Sequence, residues 1–221
     1  MKKKNIFLTI GILAFITGCN YNESDAVKEM VQIKYNGNNK VYECSEEEKS
    51  NLKSEVNIVV KENQLFAVIE NSKKSKTYEE GTHELKANPN AKTCFFVDST
   101  PIENNKYGTQ SPIMKNHPEY GVISIAIHGN FTYRVNDAVK FLDVYNQPEG
   151  YISAMRTYLI NYYSIYVSET NYNTLIQETK MDQQILDKVN KDIEKYGLEI
   201  TESIIEGFEV TSNTGEIIFT K

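Results

Sequence analysis

The chain has 221 residues and a formal charge of -6, with 24 lysines and arginines against 30 aspartates and glutamates. Arg134 and Arg156 are its only arginines, and no basic cluster of the kind that follows a nucleic-acid backbone occurs, which argues against nucleic acid as a partner. About 200 residues beyond an N-terminal apolar run are enough for one substantial domain or two small ones packed together.

The chain begins "MKKKNIFLTIGILAFITGCN". Lys2 to Lys4 form a positive n-region, and Ile6 to Thr17 form an apolar run of signal-peptide length, too short to span a bilayer as a helix. The small residues before Cys19, spelled "ITGC", resemble the lipobox of bacterial lipoproteins, which are cut before the cysteine and carry a diacylglyceryl thioether on it. That reading makes residues 1–18 a signal peptide and Cys19 the lipidated, membrane-anchoring residue. Two acyl chains, at roughly 0.8 kcal/mol per buried methylene, hold a protein stably where one would not. The alternative is an uncleaved or conventionally cleaved signal with an unrelated cysteine.

Cys44 and Cys94 remain. Outside the cytoplasm a disulfide between them is able to persist, and two buried free thiols are the alternative. No CxxC, HExxH or Cys/His cluster has metal-ligand spacing, so neither a zinc site nor any other cofactor is expected.

Residues 19–55 read as a tether with a small hairpin around Asn36-Gly37, a favoured type I′ pair, and "SEEEKSNLKSE" at 45–55 reads as a solvated linker or short helix. Two apolar strands follow at 56–60 and 64–70, with a polar turn at 71–75, as a meander of short strands. "KTCFFVDSTPI" adds another, ending or running at an edge because of Pro101.

The clearest alternation is "GVISIAIHGNFTYRV", where Ile123, Ile125, Ile127, Phe131, Tyr133 and Val135 share one face and Gly129 interrupts the apolar series. His128 falls on the polar face, as an ordinary surface residue. Asp137 is placed to cap a helix over "AVKFLDVY", and Pro148 suits the first turn of the next. In that helix Tyr151, Met155, Tyr158, Leu159, Tyr162 and Tyr166 predict a wide apolar stripe, read as core packing with wetted hydroxyls or, alternatively, as a ligand groove. A third helix is predicted over 172–195, ending at Gly197. The last strand has Leu198, Ile200, Ile204 and Phe208 on one face and Ser203 on the other, as a curved or exposed edge, and "TSNTGE" turns into "IIFT". Strands, then helices, then a strand pair make an α+β pattern.

In that order, "QLFAVIENSKKSKTYEEGTHEL", "FFVDSTPIENNKYGTQSPI", "GVISIAIHGNFTYRVNDAVKFL" and "VNKDIEKYGLEITESIIEGFEV" resemble the SPFH or band 7 domain of stomatin, prohibitin and flotillin relatives. The resemblance extends to a bacterial, virion-core-protein-like branch, in which a lysine, an aromatic residue and Gly-Thr precede Pro-Ile; here these are Lys106, Tyr107, Gly108, Thr109, Pro112 and Ile113. It covers about residues 56–210, and a domain over 56–221 is expected. Glu80-Gly81 departs from the Pro-Gly common in the family. The resemblance implies a non-catalytic, membrane-tethered scaffold; the lipobox, a departure from relatives that face the cytoplasm, puts the domain on the extracytoplasmic side, and self-association through sheet edges such as 198–210 is the expected working mode. No GxSxG, P-loop, SxxK or paired-acid motif speaks for an enzyme. The alternative is a monomeric lipoprotein that binds a ligand or peptide.

Overall fold

The computed structural model describes residues 30–70 and 75–221, so Cys19, the signal region and the turn at 71–74 lie outside the described residues. The N-terminal part contains β1 (Val31–Lys34), β2 (Val41–Glu43), α1 (Glu46–Asn51), β3 (Val56–Val60), β4 (Gln64–Ile69), β5 (Lys76–Tyr78), β6 (Gly81–Leu85) and β7 (Thr93–Asp98). Its strands make two sheets, ordered β1-β3-β6 and β2-β7-β4-β5.

The expected hairpin at Asn36-Gly37 does not form. β1 runs parallel to β3, with Ile33 opposite Ile58, while β2 runs antiparallel to β7 in the other sheet. Burial decides this: Ile33 packs with Val56, Ile58 and Val60 from one sheet and with Phe66, Val68 and Phe96 from the other. The segment between β1 and β2 therefore crosses from sheet to sheet, and Tyr35 stacks on Tyr42 at 4.1 Å between ring centroids. Residues 30–55 thus contribute β1, β2 and α1 to a β-sandwich completed by residues 56–98, where a tether with a small hairpin is expected. The charged run after Cys44 is α1, opened by a capping box in which Ser45 Oγ accepts from Glu48 N and Glu48 Oε2 accepts from Ser45 N.

β3 and β4 are consecutive but belong to different sheets, so the predicted meander is a crossover. The near-continuous apolar run of β4 reflects burial on both faces: Phe66 and Val68 point into the sandwich, Leu65 and Ala67 into the neighbouring core. β7 lies inside its sheet and ends before Pro101.

The remainder contains β8 (Ile102–Gly108), β9 (Ile113–His117), β10 (Gly121–Val135), α2 (Ala138–Val144), α3 (Pro148–Glu169), α4 (Tyr172–Leu175), α5 (Gln183–Ile193), a 3-10 turn (Glu194–Tyr196), β11 (Leu198–Thr211) and β12 (Ile217–Thr220). The chain is α+β, as its pattern predicts. Its second sheet system runs β12-β11-β10-β8, with β9 also on β10. The apolar face of β10 and the helices α3 and α5 share one core, in which Ile123, Ile125, Ile127 and Phe131 meet Met155, Leu159, Tyr163 and Val189. Each such buried side chain contributes roughly 1.5–3 kcal/mol.

Helix boundaries follow local chemistry. Asp137 Oδ1 accepts from Val139 N at 3.0 Å and Lys140 N at 3.3 Å, capping α2, and also from the Thr77 hydroxyl at 2.8 Å, which ties β5 to this helix. Pro148 occupies the first turn of α3. The predicted third helix is two helices, because residues 179–181 leave helical geometry to pair with β11 and Asp182 caps α5 afresh. Gly197 closes the helical region at φ 66°, a left-handed conformation that favours glycine.

β10 and β11 pair along their lengths with two register shifts, at His128/Gly129 and Thr132/Tyr133. At the first, a β-carbon on Gly129 would overlap the Ile204 carbonyl oxygen and stand 3.0 Å from Tyr107 Cε1, so only glycine lets the strands approach. The shifts also rephase β11. Ser203 and Ile205 are buried and Ile204 only half-buried, the reverse of strict alternation.

Candidate functional site

The motif residues Lys106 to Ile113 sit where the long strand β10 changes neighbours. β8 pairs with it through His128↔Gly108, and β9 takes over at Ile125↔Ile113. Thr109 bridges the gap: its amide donates to Ile127 O at 2.9 Å, and its hydroxyl oxygen accepts from Ile127 N at 3.1 Å in place of a ladder carbonyl. Pro112, exposed, leads into β9, and Ile113 packs against the core. Tyr107 is 5% exposed, with its hydroxyl donating to Ile204 O at 3.2 Å. Burial pushes its phenol above the ordinary value. The neighbouring Ser203 hydroxyl is buried with no hydrogen-bond partner of good geometry.

Lys106 and Gly108 face outward. With Gln110, Ser111, Ser153, Arg156, Thr157, Ile160 and Asn161 they line an open groove of about 640 Å³ between β8 and α3. Arg156 crosses it, its Nε donating to Lys106 O at 2.8 Å. A second tie lies further along α3, where Lys115 Nζ donates to the carbonyls of Val167 and Ser168, both at 2.9 Å. That lysine from β9 satisfies the last turn of α3, where a cation is favoured.

The buried stripe of α3 is Tyr151, Met155, Leu159, Tyr163 and Val167, at a strict spacing of four. Sequence reading included Tyr158, Tyr162 and Tyr166, which are half-buried flanks, and omitted Tyr163, the most enclosed tyrosine of the helix. The stripe is core. Its Tyr163 hydroxyl donates to Glu178 Oε2 at 3.0 Å, and on the flanks Tyr166 donates to Glu178 Oε1 and Tyr162 to Asp192 Oδ2 at 2.7 Å.

Cys44 and Cys94 are joined as a disulfide, with their Cα atoms 5.3 Å apart. They lie across from each other at the end of the β2–β7 pairing, where Cys44 N donates to Cys94 O at 2.8 Å. His128 is exposed on the outer side of β10, against Gly207. Among the described residues, no three histidine, cysteine or acidic side chains converge as a metal site, and no helix is long and apolar enough to cross a membrane.

The strand over 198–210, expected to be an edge, is interior. Beyond β10 on one side, its other side is closed by β12 at Glu209–Thr211, by residues 179–181 at Ser203–Ile205, and by the Asn190 side chain at Ile200. Of the groove residues, Lys106 and Gly108 were legible as a motif. Arg156 was visible only as one of two arginines, with nothing in the sequence to place it against β8.

Residues 87–221 match the model of a family described as SPFH domain-Band 7 family, a span that starts just after β6 and includes β7. No curated protein matches the chain.

Proposed function

This chain belongs to the SPFH domain-Band 7 family, generally membrane-associated and non-enzymatic scaffolds, and from that premise we propose that it is a lipid-anchored scaffold on the extracytoplasmic face of a bacterial membrane. The observation that carries the reading is the family match over most of the folded region, joined to an N-terminus that reads as a lipoprotein signal. On this reading residues 1–18 are removed, Cys19 carries the lipid, and the polar stretch after it is the tether. The Cys44–Cys94 bridge suits a compartment where disulfides persist.

Self-association is the proposed working mode, and β11 is occupied on both sides. The surface that suits it is the outer edge of β9, which among the described residues pairs with β10 alone. Met114 on β9, Tyr120 in the turn that follows and Val122 at the start of β10 are 60%, 42% and 41% exposed. A strand edge with exposed apolar side chains beside it is a template for a second copy.

Two measurements test the reading. Intact mass of membrane-extracted protein is expected to show a chain starting at Cys19 with a diacylglyceryl group, lost in Cys19→Ser. Sedimentation of the lipid-bound protein is expected to show concentration-dependent oligomers that Met114→Lys weakens. A strictly monomeric protein on membranes at high concentration removes the scaffold reading, and an unprocessed N-terminus removes the anchor.

A further inference from the structure

The two arginines have different surroundings. Arg134 pairs with Glu199, Nη2 to Oε2 at 3.0 Å, across β10 and β11. Arg156 has no carboxylate within ion-pair distance among the described residues, and neither has Lys106 beside it. The single bond from Arg156 Nε to Lys106 O fixes the guanidinium and leaves both Nη groups without a protein partner among the described residues. In a chain with 30 acids to 24 bases, the groove holding these two cations is lined by no aspartate or glutamate.

The groove floor adds backbone donors. Thr109 N is turned inward to Ile127 O. By the alternation of an antiparallel ladder, the amides of Lys106 and Gly108 therefore point away from β10, toward the groove. Gly108 has no side chain to cover them. The remaining polar lining, Gln110, Ser111, Ser153 and Asn161, is neutral.

We propose that the groove between β8 and α3 binds an oxyanion, a phosphate or carboxylate carried on a small polar molecule. A guanidinium held by its Nε offers its outer N–H groups as a fork to two oxygens, an ammonium adds a point charge, and outward amides complete the donor set. The volume of about 640 Å³ falls in the range of small-molecule sites and leaves room for the body of the molecule beside Ile160. Because the groove is open, binding weakens as salt rises. The inference does not rest on the lipid anchor or on self-association, so each stands or falls alone.

Amide NMR of the purified protein tests it, with inorganic phosphate, acetate and glycerol phosphate titrated at constant ionic strength, and vesicles of phosphatidylglycerol in phosphatidylcholine as a further arm. Saturable shifts at Gly108, Lys106 and Arg156 Nε are expected, with affinity about tenfold weaker in Lys106→Gln and Arg156→Gln and unchanged in Arg134→Gln. A preference for the phosphate compounds assigns a phosphate ligand, a preference for acetate a carboxylate, and saturation with vesicles alone a lipid headgroup. Arg156→Gln also removes the tie between α3 and β8, so Lys106→Gln, whose ammonium has no ion-pair partner among the described residues, decides. Shifts that stay linear and spread over the surface, or saturable shifts that Lys106→Gln leaves intact, overturn the proposal.

Discussion

Asn190 holds Ile200 at both ends of its peptide: the side-chain amide donates to Ile200 O at 3.0 Å, and the side-chain carbonyl accepts from Ile200 N at 2.8 Å. A helix side chain here replaces a neighbouring strand and closes an edge that would otherwise expose main chain. Ile200 is 2% exposed, so its amide has no ready access to water. Asn190→Ala is expected to lower stability by about 1–3 kcal/mol, the cost of an unsatisfied buried group. Asn190→Asp keeps an acceptor for Ile200 N but sets a carboxylate oxygen against Ile200 O in a part-buried site, and is expected to cost at least as much. Urea unfolding of the two variants beside the parent checks both, and equal midpoints for all three would mean that the bracket carries no stability.

Thr109 does comparable work at the handover from β8 to β9. Replacing it with valine keeps the shape and removes the acceptor for Ile127 N. Thr109→Val is expected to destabilise by about 1–3 kcal/mol, and Thr109→Ser, which keeps the hydroxyl, by less. Hydrogen exchange at the Ile127 amide offers a local readout, since its protection should fall in the valine variant and persist in the serine one.

The Cys44–Cys94 bridge closes a loop of sequence separation 50. Chain entropy for a loop of that size corresponds to about 4 kcal/mol. Reduction, or the double change Cys44→Ala with Cys94→Ala, is therefore expected to lower stability by about 2–4 kcal/mol, read as a drop in melting temperature that reductant reproduces in the parent and not in the double variant. Loss should be local first, in the sandwich formed by residues 30–98.

Alkaline pH is expected to weaken the fold. Burial raises the Tyr163 and Tyr133 phenols well above the ordinary tyrosine value, and the Glu178 carboxylate beside Tyr163 adds to its rise. Below about pH 10 these phenols are protonated in both the folded and unfolded chain; above it the unfolded chain releases protons that the folded chain retains, so stability falls as pH climbs. Melting temperatures between about pH 9 and 11 should drop, and less steeply in Tyr163→Phe. A flat profile in that window would contradict the assigned burial of these hydroxyls.

What the sequence by itself determined lies in short-range physics. The alternation of β10, the caps at Asp137 and Gly197, the placing of Pro148 and the α+β order all follow from periodicity and local backbone preference, which act within a few residues. The tertiary structure decided what depends on partners distant in the chain. Ile33 chose β3 over a hairpin at Asn36-Gly37 because the sandwich core offered more burial than a two-residue turn. Ser203 went inside because the bulges opposite Gly129 and Tyr133 shifted the phase of β11. Residues 179–181 broke a predicted helix because β11 had an edge to fill. The groove belongs to the same class: Lys106 and Arg156 stand 50 residues apart in sequence, and only the packing of α3 beside β8 brings their charges together.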